Sequence, residues 1–277
     1  MDRVKRNERL GVIARILTDS PNRIFSLTTF CERFGAVKSS ISEDIDLLSE
    51  AFARYGLGEI TTVAGAAGGV RYRPIMPGEQ IAEALGAIAA RLSQPGRLLP
   101  GDFLYTTDVT CDPEAAEVMG RALACAYFDV KPGFVLTMET KGIPVAMTTA
   151  RTLNVPLVIA RRDSKAYEGS AVKINYMSGS TGSLETMSLA RRAVKPGQRA
   201  LIIDDFVKGG GTLRGMCDLM AEYSVQVVGI GVVIATAEPE RKSVEGVNAL
   251  FVLREVDHAG DRAIVEPSEW ALSSPNA

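Results

Sequence analysis

The chain has 277 residues, 46% of them hydrophobic and 23% charged, and its formal net charge is −2. Values this close to those of ordinary globular proteins exclude extensive disorder, and the length suits a small domain joined to a larger one. The four cysteines are scattered without a CxxC pair and there is a single histidine, which argues against a zinc site. The chain has no apolar run near the ~18 residues that a membrane span needs. We therefore expect buried thiols in a cytoplasmic protein.

The chain begins with three predicted helices. Apolar residues recur at helical spacing over residues 6–17 and define the first helix. Ser26 is a suitable N-cap for a short second helix. Residues 36–52 carry an apolar stripe that predicts the third helix, and within it Ser40 and Glu43 have the spacing of a capping box.

A predicted β-hairpin follows the third helix. Residues 61–64 and 70–73 alternate in polarity on either side of a glycine-rich turn. Three helices followed by a hairpin are typical of a winged helix-turn-helix, which is a DNA-binding module. We place this domain at residues 1–74, because Pro74 and Pro77 then interrupt the pattern.

Charge is distributed unevenly between the two parts of the chain. Residues 1–74 contain 11 Lys/Arg and 9 Asp/Glu, a net charge of +2, whereas residues 75–277 contain 20 and 24, a net charge of −4. A basic beginning on an acidic protein favours a polyanionic partner. In a winged helix, the start of the third helix enters the major groove, and the arm and the wing contact phosphates. The candidate DNA-binding residues are therefore Arg3, Lys5, Arg6, Lys38, Ser39, Ser40 and Arg71, with Arg73 also beside the wing.

Acidic residues on the third helix oppose this interpretation. They would repel DNA along most of the helix, which leaves its first turn for contact; they are Glu43, Asp44, Asp46 and Glu50. The alternative for residues 1–74 is a dimerisation or packing element.

Residues 75–277 are predicted to form an α/β domain with a mainly parallel sheet. A helix near residues 80–92 links the two domains, and from about residue 100 apolar strands alternate with helices. The expected strands lie in FVLTMET, VPLVIARR, RALIIDDF, VQVVGIGVVIAT and ALFVLREV, the last of which completes the series. Polar residues 162–184 form a mobile segment with one short strand, AVKINY, and residues 266–277 are expected to be a surface tail.

Two adjacent acids and three glycines follow an apolar strand in LIIDDFVKGGGT, residues 201–212. In an open parallel sheet, ligands bind beyond the carboxyl ends of the strands. Glycine backbone followed by a helix start suits a phosphate. Asp204 and Asp205 would repel a phosphate but suit sugar hydroxyls, or a Mg²⁺ ion that bridges to a diphosphate. The sequence therefore predicts a site for a sugar phosphate.

This segment resembles the phosphoribosyl pyrophosphate (PRPP) motif of type I phosphoribosyltransferases, and METKGIP resembles their pyrophosphate loop. The resemblance implies ribose hydroxyls on the two acids and phosphates on the loops, a non-proline cis peptide in the pyrophosphate loop, and a flexible lid at residues 162–184. It also suggests Phe103, or else Tyr105, beside a purine. The implied ligand-binding residues are Asp204, Asp205, Phe206, Lys208, Gly209, Gly210, Gly211, Thr212, Glu139, Thr140, Lys141, Gly142, Phe103 and Tyr105.

Residues 5–255 resemble the PurR-type purine-operon repressors of Gram-positive bacteria, which join a winged helix to a type I phosphoribosyltransferase-like domain. The resemblance is carried by KSSISEDI, VAGAAGGVRY, TKGIP, EGSAV, INYMSGS, TMSLARR and LIIDDFVKGGGT. It implies a homodimer joined through residues 75–277 that binds DNA at purine genes and is released by PRPP, with Mg²⁺ as a companion ion. It implies no catalytic residue, resident metal or catalytic cofactor. Guanine nucleotides such as ppGpp are further candidate ligands. The alternative is an active, xanthine-type phosphoribosyltransferase with an accessory N-terminal domain.

Overall fold

The computed structural model describes residues 4–65, 68–101, 103–163, 169–178 and 182–273. The helices are α1 (Arg6–Asp19), α2 (Leu27–Phe34), α3 (Lys38–Arg54), α4 (Gly78–Leu92), α5 (Thr107–Thr110), α6 (Pro113–Cys125), α7 (Ile143–Leu153), α8 (Gly211–Glu222) and α9 (Glu269–Ser273). The strands are β1 (Ile24–Phe25), β2 (Glu59–Val63), β3 (Gly69–Arg73), β4 (Leu98–Leu99), β5 (Phe103–Leu104), β6 (Phe134–Met138), β7 (Leu157–Ala160), β8 (Ala171–Met177), β9 (Leu184–Ala190), β10 (Arg199–Val207), β11 (Gln226–Thr236), β12 (Val247–Asp257) and β13 (Arg262–Pro267). None of these helices is both long and apolar enough to span a bilayer.

The N-terminal part is the predicted winged helix. Helices α1, α2 and α3 pack around a core in which Ile13, Phe30 and Ile41 are fully buried. Ser26 caps α2, since its side chain accepts a hydrogen bond from Thr29 N–H, as predicted. Strand β1 adds a third strand in the order β1-β3-β2, which the sequence did not predict because a two-residue strand has no periodicity to detect.

The predicted capping box at the start of α3 is wrong. The helix begins at Lys38, and Ile41 N–H already donates to Val37 C=O at 3.2 Å, so Ser40 lies within the first turn. The N-cap is Val37, whose side chain makes no capping hydrogen bond. Helix α2 ends just before this point at Gly35, and Ala36 N–H donates to Cys31 C=O at 3.1 Å.

The prediction that Asp44 repels DNA is also wrong. Its side chain is fully buried between α1 and α3, where Arg9 Nε lies 2.7 Å and Arg6 Nε 2.9 Å from its carboxylate. The hydrogen bond from Arg9 to Asp44 raises the pKa of that guanidinium, against the opposing effect of burial. Asp44 therefore holds α1 against α3. Glu43, Asp46 and Glu50 are exposed, as the repulsion argument requires.

The C-terminal part is built on one six-stranded sheet in the order β13-β12-β11-β10-β6-β7. All neighbouring pairs are parallel except β12–β13, so the mainly parallel sheet is confirmed. Side chains alternate along β10: Leu201 and Ile203 join a core with α4, α6 and α7, whereas Ala200 and Ile202 join one with α8. Helices thus cover both faces, and the carboxyl ends of the parallel strands form a shared edge.

Several expectations for this domain need correction. Strand β13 pairs with β12 at the edge of the sheet, and α9 follows it with Ala271 buried. Residues 266–273 are therefore not a surface tail. Residues 274–277 lie outside the described part of the chain. The segment 162–184 does contain the predicted short strand, as β8, but this strand pairs with an unpredicted β9 in a hairpin; the predicted lid also includes residues 164–168 and 179–181, which lie outside the described part of the chain. The cysteines are not all buried, since Cys111 is exposed.

Candidate functional site

A cleft of about 550 Å³ opens at the carboxyl edge of the large sheet. It brings together segments far apart in sequence: the end of β6, the end of β10, the start of α8 and β12. Of the residues singled out from the sequence, it is lined by Phe103, Glu139, Thr140, Lys141, Asp204, Asp205, Phe206, Lys208, Gly210, Gly211 and Thr212. Gly142, Gly209 and Tyr105 are not part of the described lining. Gly142 packs against Asp204, Gly209 C=O accepts a hydrogen bond from Ser243, and Tyr105 is exposed.

Asp204 and Asp205 lie in the middle of the cleft, at the end of the central strand β10. Asp204 is only 5% exposed and accepts a hydrogen bond from Asp205 N–H at 3.0 Å, whereas Asp205 is half-buried. Burial raises the pKa of Asp204 well above its ordinary value, and the charge of Asp205 adds to the effect. Burial also raises the pKa of Asp205, although a hydrogen bond from Asp204 and the charge of Lys141 oppose the shift. Two desolvated acceptors side by side suit a ligand that brings hydroxyl donors.

The buried charge predicts that Asp204→Asn stabilises the protein. Because the pKa of Asp204 is raised on folding, the free energy of unfolding falls as pH rises from about 3.9, the unfolded value, through the raised value. Asparagine keeps the shape and the acceptor for Asp205 N–H but carries no charge. We expect the free energy of unfolding at pH 7 to rise by about 0.5–2 kcal/mol in urea denaturation, and the decline with pH to shrink. The exposed Asp218→Asn is the control, and a loss of stability in Asp204→Asn would refute the argument.

The predicted pyrophosphate loop lies directly against this acid pair. The Glu139–Thr140 peptide bond is cis, as the resemblance implied. Gly142 must be glycine, because a Cβ there would lie 2.7 Å from Thr137 Oγ1 and 3.1 Å from Asp204 Oδ1. Glu139 is held from the β7 side by Arg161 Nη1 at 3.2 Å and by Arg162 N–H at 2.8 Å. The loop therefore packs its backbone onto Asp204 and continues at once into α7.

The glycine-rich turn after β10 forms the other wall of the cleft. Gly210 is the N-cap of α8 with φ of 87°, a conformation that residues other than glycine adopt with strain. The first N–H groups of α8 have no side-chain cap, so they are available to an anion. Ser243 N–H and Oγ both donate to Gly209 C=O, at 2.9 and 2.8 Å, and fix the turn from outside.

Sequence reasoning missed part of the lining. Tyr176 reaches the cleft from the β8–β9 hairpin and donates to Glu185 at 2.8 Å, and burial raises its pKa to about 12. Arg162 also lines the cleft, with Nη1 3.3 Å from the same Glu185 carboxylate. Its position just after a strand of the sheet was a usable signal. Tyr176 gave none, because its hairpin folds back from a separate small sheet.

The candidate DNA-binding residues occupy different environments. Lys5, Lys38 and Ser39 are exposed and Ser40 is half-buried. Arg6 is paired with Asp44, and Arg71 is half-buried with Nε lacking a hydrogen-bond partner.

Of the two remaining arginines, the structure describes only one. Arg3 lies outside the described residues. Arg73 is only 9% exposed: its guanidinium lies 3.2 Å from Asp129 and 4.6 Å above the ring of Phe128 in the second domain. Arg73 belongs to the wing strand β3, as the sequence indicated, but its guanidinium pairs with Asp129 of the second domain.

Comparisons with known proteins match both parts of the chain. Residues 5–74 match the family described as bacterial purine repressor, N-terminal, and residues 109–262 match the phosphoribosyl transferase domain. The chain is 40% identical over 253 residues to the purine biosynthesis transcriptional repressor PurR of Bacillus subtilis, covering 91% of this chain and 89% of that protein. It is 36% identical over 256 residues to the purine biosynthesis transcriptional activator PurR of Lactococcus lactis subsp. lactis, covering 92% and 94%.

A solved enzyme structure shares the fold of the second domain. Adenine phosphoribosyltransferase from Thermoanaerobacter pseudethanolicus aligns with a TM-score of 0.53 at 22% identity, covering 60% of this chain and 96% of that one. At this identity the likeness concerns the fold alone.

Proposed function

The chain belongs to the PurR family of purine biosynthesis regulators, and we propose that it is a transcriptional repressor of purine genes that PRPP releases from DNA. The relatives at 40% and 36% identity are named a repressor and an activator, respectively. We choose repression because the more similar of these two is named a repressor. Residues 1–74 are the proposed DNA-binding domain, and residues 75–277 the proposed effector-binding and dimerisation domain.

One observation carries the choice of PRPP. A buried acid pair, a pyrophosphate-type loop and a glycine turn at a helix start face one cleft of about 550 Å³. Asp204 and Asp205 offer acceptors to ribose hydroxyls, and the free N–H groups at the start of α8 offer donors to a phosphate. Lys141 adds a positive charge beside the acids, where a diphosphate would lie. The half-buried Asp205 carboxylate is the type of oxygen donor that Mg²⁺ prefers, so it would contribute to an ion carried in with the diphosphate.

We extend the proposal to guanine nucleotides such as ppGpp as competing ligands. Beyond the acid pair, the cleft is lined by Phe103 and Phe206 and by Leu253 and Arg254 of β12. Aromatic and apolar side chains provide a surface on which a nucleotide base can stack. PRPP has no base, so it would leave this end of the cleft empty. If ppGpp occupies this end, it will raise the PRPP concentration needed for DNA release without causing release on its own.

Transferase activity is not part of the proposed function. A phosphoribosyltransferase fold hosts different activities, so the fold does not decide between enzyme and regulator. Similarity to proteins named transcriptional regulators extends over about nine-tenths of the chain, including the winged helix. An active transferase with an accessory N-terminal domain is the alternative.

DNA contact is proposed to come from the first turn of α3, the N-terminal arm and the wing. Two winged helices related by a two-fold axis would read two half-sites, which requires a homodimer. In the described part of α3, the exposed Lys38 is the cation nearest to the helix start, whereas Glu43, Asp46 and Glu50 face solvent farther along.

We propose that Lys38, at the helix start, contacts a DNA phosphate at the rim of the major groove, so Lys38→Ala is expected to weaken DNA binding to all sequences alike. The slope of log affinity against log salt concentration should become less steep by about one. Fluorescence anisotropy over a series of salt concentrations measures this slope. Lys195→Ala, at an exposed position in the second domain, is the control. An unchanged slope in Lys38→Ala would remove Lys38 from the interface.

The proposed function is tested by two parallel assays on the full chain. Fluorescence anisotropy with DNA from upstream of purine genes measures affinity with and without PRPP and Mg²⁺. A second assay measures nucleotide formation from PRPP and each purine base. Salt-sensitive DNA binding that PRPP reverses, without nucleotide product, is the expected result. Turnover without sequence-preferring DNA binding would establish the enzyme instead.

A further inference from the structure

Helix α7 connects the effector cleft to the winged helix. It begins immediately after Gly142, which packs against Asp204, and it ends 11 residues later at Leu153. A helix of this length is a rod of about 16 Å. Its first residue follows the pyrophosphate loop directly, and the carbonyl group of its last residue, Leu153, accepts a hydrogen bond from the N-terminal domain.

Asn22 of the winged helix contacts the C-terminal end of α7. It lies in the turn between α1 and β1, and its Nδ2 donates to Leu153 C=O at 2.9 Å. Its Oδ1 accepts from Arg73 Nε at 3.3 Å, and its backbone N–H donates to Tyr72 C=O at 2.7 Å. One side chain thus joins the end of α7 to the wing strand β3, which also carries Arg71.

Arg73 continues this connection to a second point on the effector domain. Its guanidinium is nearly buried, lies over the ring of Phe128 and pairs with Asp129, both of which follow α6. The Asp129 side chain is largely exposed, so the ion pair by itself contributes little. The contact with Phe128 and the bond to Asn22 fix the direction of the guanidinium, so Asn22 and Arg73 are positioned as a unit.

We propose that Asn22 is a positioning residue that transmits the state of the pyrophosphate loop, through α7, to the winged helix. The inference rests on the proposed function, and it chooses a conformational route over direct competition between PRPP and DNA. A diphosphate bound at the loop shifts the start of α7, and the packed helix moves as a body. The shift changes the bond between Leu153 and Asn22, and with it the orientation of β3 relative to the second domain.

The test separates coupling from binding. Asn22 has φ of 58°, so Asn22→Gly removes the side chain without backbone strain, and Asn22→Asp keeps the acceptor for Arg73 but cannot donate to Leu153 C=O. Asn154→Gly is the matched control, because Asn154 also has φ of 58° and follows Leu153 directly. For each protein, calorimetry gives the PRPP Kd, and anisotropy gives the DNA Kd without PRPP and with saturating PRPP.

Both Asn22 variants are expected to keep the PRPP Kd and the PRPP-free DNA Kd within about twofold of the parent. The coupling factor is the DNA Kd with saturating PRPP divided by the DNA Kd without PRPP, and for the parent we expect the usual range of about 5–150. In both Asn22 variants this factor should be at least fivefold smaller than in the parent, approaching one. The control should keep the parent factor. Full coupling in both Asn22 variants would overturn the inference and leave the proposed function intact. Loss of PRPP-free DNA binding would overturn it too, since Asn22 would then serve the fold. A parent that PRPP does not release would overturn both.

Discussion

Asp204→Asn and Asp205→Asn should each raise the Kd for PRPP by about 10- to 100-fold, and together they should abolish the PRPP response. Each substitution replaces a carboxylate acceptor of a ribose hydroxyl by a neutral amide, and a hydrogen bond to a charged group contributes about 1.5–3 kcal/mol. The DNA affinity without PRPP should stay unchanged, because neither residue lies in the winged helix. Calorimetry with PRPP and Mg²⁺ measures the first effect, and anisotropy on purine-gene DNA measures the second.

The control for this prediction is Asp218→Asn. Asp218 is exposed on α8, where it pairs with Arg214 at 3.0 Å, and it does not line the described cleft. Asp218→Asn therefore tests whether the loss of any carboxylate near the site is enough to raise the Kd for PRPP. A PRPP response that survives in both Asp204→Asn and Asp205→Asn would show that the ligand binds elsewhere. If Asp204→Asn weakens PRPP binding and also raises the free energy of unfolding, the buried charge serves ligand binding rather than the stability of the fold.

Asp44→Ala is expected to unfold the winged helix while leaving the effector domain intact. Asp44 is fully buried and pairs with both Arg9 and Arg6, so its removal leaves the nearly buried Arg9 without a counter-charge. Breaking such a pair from one side costs about 3–5 kcal/mol. DNA binding should be lost. The PRPP Kd should remain that of the parent, because the cores of residues 13–72 and of the second domain are separate.

Asp46→Ala is the matched control for Asp44→Ala. Asp46 lies two residues along the same helix but is exposed, so its removal should leave stability within about 0.5 kcal/mol. It should also strengthen DNA binding slightly, because a negative charge near the DNA-facing helix is removed. Thermal unfolding followed by circular dichroism, together with anisotropy, measures both. Equal stability of the two variants would contradict the assigned role of the buried ion pair.

The elements that could be predicted from the sequence are those whose signal is local. The LIIDDFVKGGGT segment is contiguous, and it runs from the end of β10 through the glycine turn into the start of α8. Ser26 and the stripe of α3 are equally local. The pyrophosphate loop was found in the same way, since its residues follow β6 directly.

The features that could not be predicted depend on residues distant in the sequence. The burial of Asp44 follows from its pairing with Arg9, 35 positions earlier, and that of Arg73 from its contact with Phe128, next to Asp129, which lies 56 positions later. Both positions looked like solvated charges, because periodicity describes one helix or strand at a time. Strand β13 was missed for a related reason: it is stabilised by pairing with β12 rather than by its own pattern.

Reciprocal linkage between the two ligands tests the central claim most directly. If PRPP in this cleft releases DNA, then saturating DNA must weaken PRPP binding by the same factor by which PRPP weakens DNA binding. Calorimetry of PRPP with the free protein and with the protein saturated with purine-gene DNA gives the first factor, and anisotropy gives the second. We predict two equal factors well above one. A PRPP Kd that is the same with and without bound DNA would contradict the account.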